Sequence, residues 1–206
     1  MLRIHTRYLE EIVEAHELCP WAKGARQSGA LARRVIADAP LDGALAAIDH
    51  FAGDEKIVVA ILIFPRHEAG AEDFDRFVAN VRKADLARRT TRAPFALAAF
   101  HPRAAWGDES PERLVMFFRR SPDPSIQLVR FAALDAVRSS APSGKFLFDG
   151  SAAAMAELER RALTIPVSER IARDNFDRFH AARAELERAL GDIEADRARS
   201  YARFRQ

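Results

Sequence analysis

The 206-residue sequence holds a single cysteine, Cys19, so no disulfide can form within the chain. That usage fits a reducing compartment and excludes a disulfide-stapled secreted scaffold. Lysine is scarce as well: of 32 basic residues only four are lysine (Lys23, Lys56, Lys83 and Lys145), and the rest are arginine. No apolar run approaches the ~20 residues that a membrane-crossing helix needs. The nine glycines form neither G-x-G-x-x-G nor G-x-x-x-x-G-K-[ST], and H-E-x-x-H, C-x-x-C and G-x-S-x-G are missing too. The common phosphate loops, zinc-protease helix and hydrolase elbow therefore have no support.

What is present is the composition of a soluble globular domain, with 49% hydrophobic and 30% charged residues. A chain of this length can bury a core without disulfides or metals. The first residues, MLRIHTRYLEEIVEA, read as an amphipathic helix rather than a secretory signal, and a cytoplasmic location is expected. Net charge is only +2, which argues against a general nucleic-acid surface. The distribution is uneven: residues 1–87 carry 11 basic and 14 acidic groups, whereas residues 88–138 carry nine arginines and five acids. Guanidinium forks suit carboxylates and phosphates, so an anionic ligand near the middle segment is expected.

Periodicity predicts a helix over 4–18, with Ile4, Tyr8, Ile12, Val13 and His16 on one side, interrupted at Pro20. LARRVIA at 31–37 reads as a short strand, and Asp38 and Pro40 open a helix bearing Leu41, Leu45, Ile48 and Phe51. IVVAILIF at 57–64 is continuous and β-branched, the pattern of a strand buried on both faces. A helix striped with Phe74, Phe77, Val78 and Val81 follows, then a second buried strand, FALAAF, at 95–100. PERLVMFFRR at 111–120 fits strand or helix. Asp123 and Pro124 resemble the cap and first turn of a helix carrying Ile126, Val129, Ala133, Leu134 and Val137. KFLFD at 145–149 reads as a short edge strand, and Pro166 starts the last and longest helix.

This alternation predicts an α/β fold: a small, mostly parallel sheet of three or four strands covered by helices. Residues 1–180 would form the domain, and 181–206 a charged helical extension whose last residues, 192–206, are solvated. Ligands in such sheets bind beyond the carboxyl ends of the strands. Two strands end in similar tokens, IFPRH at 63–67 and AFHPR at 99–103, which deliver His and Arg to the same edge.

Four sets of residues could carry chemistry. Cys19, if it caps a helical turn starting at Pro20, sits at a dipole end that favours thiolate; alternatively it is a small buried hydrophobe. His16 and Cys19 have metal-ligand spacing but lack a third and fourth ligand, so no metal site is assigned. His101 can act as acid, base or ligand, or can simply bond a loop carbonyl; His67 has the matching place on the other strand. The segment 119–130 joins Arg119, Arg120 and Ser121 to an expected helix N-terminus near Ser125, with Gln127 and Arg130 three apart on that helix. The alternative is a capped helix with surface arginines. Asn175 lies between Ile171 and Phe179 on an apolar stripe, where a buried amide needs a partner from protein or ligand.

LCPWA at 18–22, FHP at 100–102 and RSPDPSIQLVR at 120–130, in that order, resemble the bacterial domain of unknown function 1415 family. The resemblance runs from the first helix to about residue 180 and rests on Cys19, Pro20, Ala22, His101, Pro102, Arg120, Ser121, Pro122, Pro124, Leu128 and Arg130. RDN at 173–175 is the closest match to the family's acid-Arg-Asn triplet. The resemblance implies a small cytoplasmic bacterial protein and carries over no established activity. The chain departs from the family pattern in FPRH at 64–67, in LVMFFR before the RSP motif, and in Gln127 where histidine is common.

Taken together, these residues lead us to expect an enzyme for a small anionic substrate. Cys19 would be nucleophile or redox thiol, His101 its acid/base partner, and Arg120, Ser121, Gln127, Arg130 and Asn175 would bind substrate. The alternatives are a non-catalytic small-ligand, metal or haem binding protein, and an interaction module. No particular cofactor, reaction or oligomeric state is legible.

Overall fold

The computed structural model of the chain describes residues 1–19, 22–38, 40–140 and 167–202. Helix α1 (Leu2–Arg7) widens into a π-helical stretch (Tyr8–Glu14), and α2 (Ala22–Gln27) and strand β1 (Leu31–Val35) follow. Next come α3 (Pro40–Ala52), β2 (Val59–Ile63), α4 (Ala71–Ala87) and β3 (Phe95–Phe100). A short α5 (Pro111–Leu114) and a 3-10 turn (Phe117–Arg119) lead into β4 (Ser125–Arg130), α6 (Phe131–Ser140) and the long α7 (Val167–Ala202). The expected edge strand at 145–149 and the helix start at Pro166 lie outside the described residues.

The sheet order is β1-β2-β4-β3. Among the described strands only β1 and β2 pair in parallel; β4 inserts between β2 and β3 and runs antiparallel to both. The expected mostly parallel sheet is therefore corrected to a mixed, mostly antiparallel one. The helix expected from Asp123 is corrected too, because Ser125–Arg130 is a strand and the helix begins only at Phe131. In a two-residue repeat Ile126 and Leu128 point to one face, where both are fully buried, and Gln127 and Val129 point to the other.

β2 is buried at every position, as its continuous apolar run requires. Ala60 and Leu62 face a core built from Ala44, Ile48, Phe74, Val78 and Val81 of α3 and α4. Ile61 and Ile63 face the opposite side, where Leu9 and Val13 of the first helical segment pack with Leu31 and Val35. A third cluster joins Ile4, Tyr8 and Ile12 to Leu114 and Phe117 and to Phe179, Leu186, Leu190 and Ile193 of α7. Ile193 and Tyr201 are buried, so residues 192–202 are not a solvated tail. Non-helical backbone at Ala182 (φ −124°, ψ 17°) marks a kink in α7.

Candidate functional site

Because β2 and β3 share a direction and β4 opposes both, the carboxyl ends of β2 and β3 lie beside the start of β4. Ser125 pairs with both Ile63 and Phe100. His67 and His101 reach this edge together and pack on the same ring, with centroids 4.9 and 5.9 Å from that of Phe74. The His101 backbone N–H donates to the Arg119 carbonyl at 2.9 Å. Its Nδ1 accepts the Arg103 N–H at 3.0 Å, and its Nε2 lies 3.1 Å from the Ala69 carbonyl oxygen. A donor facing Nδ1 and an acceptor facing Nε2 together define a neutral ring protonated on Nε2. Burial lowers the pKa of His101, and that of His67 as well. The Nε2 of His67 is buried with no hydrogen-bond partner among the described residues.

The two prolines of SPDPS hold a tight turn next to this edge. The Ser121 hydroxyl donates to the Asp123 carbonyl at 2.5 Å, and the Ser125 hydroxyl donates to Ser121 Oγ at 3.0 Å. Asp123 is fully buried. Its carboxylate accepts Arg197 Nε at 2.7 Å on one oxygen and the Tyr201 hydroxyl at 2.6 Å on the other, which ties the end of α7 to the turn. Burial, ahead of the bond to Asp123, raises the Tyr201 pKa. His5 is also buried, and neither of its ring nitrogens has a partner among the described residues. Burial pushes its pKa down to about 4 against the pull of the Asp123 charge. Sequence reasoning read Asp123 as a helix cap and passed over His5, Arg197 and Tyr201. The available signals were a charge between two prolines, and an Arg and a Tyr four apart on one helix face.

Cys19 is half-buried, and its carbonyl accepts the Ala22 N–H at 3.2 Å as the chain enters α2. Just before it, Glu17 takes a left-handed conformation (φ 50°) that turns the chain out of the first helical segment. α7 clamps that turn. Asn175 Nδ2 donates to the Leu18 carbonyl at 3.0 Å, and Arg178 Nη1 donates to the Glu17 carbonyl at 3.2 Å. Asn175 thus meets the need of a buried amide with the carbonyl of Leu18, the residue before Cys19. Tyr8, whose hydroxyl donates to the Phe118 carbonyl at 2.8 Å, has a pKa raised by burial first and by neighbouring Cys19 second.

Arg120 stays near His101, with Nε donating to the Pro102 carbonyl at 3.3 Å and Nη2 to Glu194 at 3.1 Å. Gln127 lies mid-strand between Ile61 and Ala98. Arg130 is at the far end of β4, roughly 17 Å from Ser125 at strand rise. Its guanidinium donates to the carbonyls of Phe51 (3.0 Å), Asp54 (2.8 Å) and Ile57 (2.8 Å), closing the turn between α3 and β2. Arg120 and Arg130 therefore do not share a pocket, and no helix N-terminus lies at Ser125. Strand geometry separates what helical spacing would have joined: residues three apart, such as Gln127 and Arg130, face opposite sides. Arg130→Ala should lower unfolding free energy by about 2 kcal/mol in urea titrations, since charged bonds to three carbonyls are lost. Arg130→Lys should recover only part of that loss.

A cleft of about 280 Å³ opens beside β3, lined by Leu97, Ala98 and Ala99, by Arg119, and by Asp75, Val78, Ala79 and Arg82 of α4. These α4 residues follow i, i+3, i+4, i+7 spacing and form one stripe. Arg82 donates to the Leu97 carbonyl at 3.0 Å. Asp75 is near enough to His101 to raise its pKa slightly against the stronger effect of burial. Arg119 is half-buried, and its guanidinium donates no hydrogen bond among the described residues. Among those residues no group of His, Cys, Asp and Glu is placed to hold a metal ion. No described helix is long and apolar enough to cross a membrane.

The fold and this edge define a small mixed α/β domain with an arginine-bearing cleft along its outer strand. Residues 2–164 match the model of the family described as "Protein of unknown function (DUF1415)", and the chain belongs to that family. No curated protein and no solved structure matches it.

Proposed function

We propose that the chain binds a small anionic ligand in the cleft between α4 and β3, with Arg119 as the anchoring group. The observation that carries this reading is Arg119, which lines a cleft of about 280 Å³ and whose guanidinium donates to no acceptor among the described residues. Arg120 and Arg130, by contrast, are occupied by Glu194 and by backbone carbonyls. A planar fork with free donors favours a carboxylate or phosphate. Arg82 adds a second cation along the same wall.

A catalytic version of this reading, with Cys19 as nucleophile and His101 as acid/base, has less support. Both ring nitrogens of His101 are already engaged by backbone groups, so proton transfer would first require one of those bonds to open. The ligand-binding reading needs no such rearrangement. Titration of inorganic phosphate and acetate by calorimetry tests it. Both wild type and Arg130→Lys should bind, and Arg119→Ala should bind at least tenfold more weakly. Equal affinity in wild type and Arg119→Ala, or none in either, defeats the assignment.

A further inference from the structure

The cleft runs along the outer side of β3. β3 is the last strand in the order β1-β2-β4-β3, and no strand among the described residues pairs with its outer side. Two bonds show which of its groups face outward. The Leu97 carbonyl is taken by Arg82 from α4, and the His101 N–H by the Arg119 carbonyl. On the inner side the Pro94 carbonyl accepts the Phe131 N–H beyond the end of β4. Main-chain direction alternates along an antiparallel strand, so Leu97 and Ala99 present their N–H and C=O groups outward, along the cleft. Alanines at 98 and 99 leave the wall low beside these groups.

A strand edge whose main-chain groups pair with no other strand is a template for another extended chain. The charges on the wall choose among possible chains. Two guanidinium groups, Arg82 and Arg119, stand on this wall against one carboxylate, Asp75; a second copy pairing β3 with β3 would bring this net positive charge twice to the same short edge, and like charges placed together oppose pairing. An acidic chain meets the opposite situation. We infer that β3 accepts an extended acidic peptide segment as an added strand, its backbone pairing with Leu97 and Ala99 and its carboxylates meeting Arg119 and Arg82. This rests on the anion reading of the Arg119 cleft and extends it: the anion is a side chain on a strand. The incoming N–H would replace Arg82 at the Leu97 carbonyl and release that guanidinium for a carboxylate.

The probe is a blocked pentapeptide of alternating valine and glutamate, titrated by fluorescence anisotropy into the full chain. It should bind at least tenfold more tightly than acetate and than the same peptide with lysine for glutamate. Arg119→Ala should weaken it about tenfold, and the Leu97 and Ala99 amides should exchange more slowly in the complex. N-methylation of alternate peptide amides, in the register that faces β3, should abolish the gain over acetate. If the N-methylated peptide binds as well as its parent, or the acidic peptide no better than acetate, strand addition is overturned while anion binding stands. If neither the peptide nor acetate nor phosphate binds, both readings fail. Concentration-dependent doubling of mass with slow Leu97 and Ala99 exchange in the absence of peptide would make a second copy the occupant and overturn the acidic-peptide assignment.

Discussion

Acidification from pH 7 to pH 4 should cost wild type about 3 kcal/mol more stability than it costs a His5→Leu variant. The His5 imidazole is buried without a partner among the described residues, and its pKa falls to about 4 in the folded chain. The unfolded chain returns it to about 6.5. Between these values the unfolded state binds the proton and the folded state does not, so stability decreases as pH falls through that window. Asp123 pulls the ring toward protonation, but burial outweighs it, and Arg33, Arg197 and the N-terminus push the same way as burial. The carboxylates of Glu14 and Asp196 are held low by arginine partners, and because both proteins carry them their contribution cancels in the comparison. Urea unfolding of both proteins at half-unit pH steps measures the difference. Parallel stability curves would show that His5 is not the group responsible.

Removing the Asp123 carboxylate should be the most damaging change at the sheet edge. Asp123→Ala leaves Arg197 and the Tyr201 hydroxyl facing a buried site with no acceptor, and loss of one member of a buried pair costs about 3–5 kcal/mol. Arg197 retains a quarter of its side-chain exposure, which places the expected loss at the lower end of about 3–5 kcal/mol. Tyr201→Phe removes one neutral donor and should cost about 1 kcal/mol. Hydrogen exchange at residues 197–202 should rise sharply in Asp123→Ala and only slightly in Tyr201→Phe. Unchanged exchange there would mean that the apolar stripe of α7, through Leu190 and Ile193, holds the helix without this ion pair.

Legibility in the sequence followed the length and continuity of the apolar signal. FALAAF is a strand over the residues its pattern marks, β2 falls within IVVAILIF, and α3 begins at Pro40. β4 was misread for a physical reason. Ile126, Val129, Ala133 and Leu134 straddle the junction between strand and helix, and across that junction they imitate helical spacing. Asp123-Pro124 also has the residue types of a helix start. The period-two set Ile126 and Leu128 was equally present, and a stretch of six residues supports both patterns. The slot between β2 and β3 decided between them, because a strand there pairs its backbone on both sides and buries both side chains.

The candidate site divides along the same line. The sequence marked a histidine just past each of two buried strands; that β2 and β3 run the same way, each antiparallel to β4, was decided by the sheet. The sequence also marked Asn175 as a buried amide in need of a partner and Arg119 as part of a cationic turn. Only the tertiary structure decided that Arg130 closes a turn at the far end of the sheet, that His101 has both nitrogens engaged, and that Asp123 is the buried counter-ion of α7. Each of those outcomes depends on which backbone carbonyl or charge from a distant segment comes within about 3 Å. Residue type and local spacing state which groups need partners; the packing of elements far apart in the chain chooses the partners.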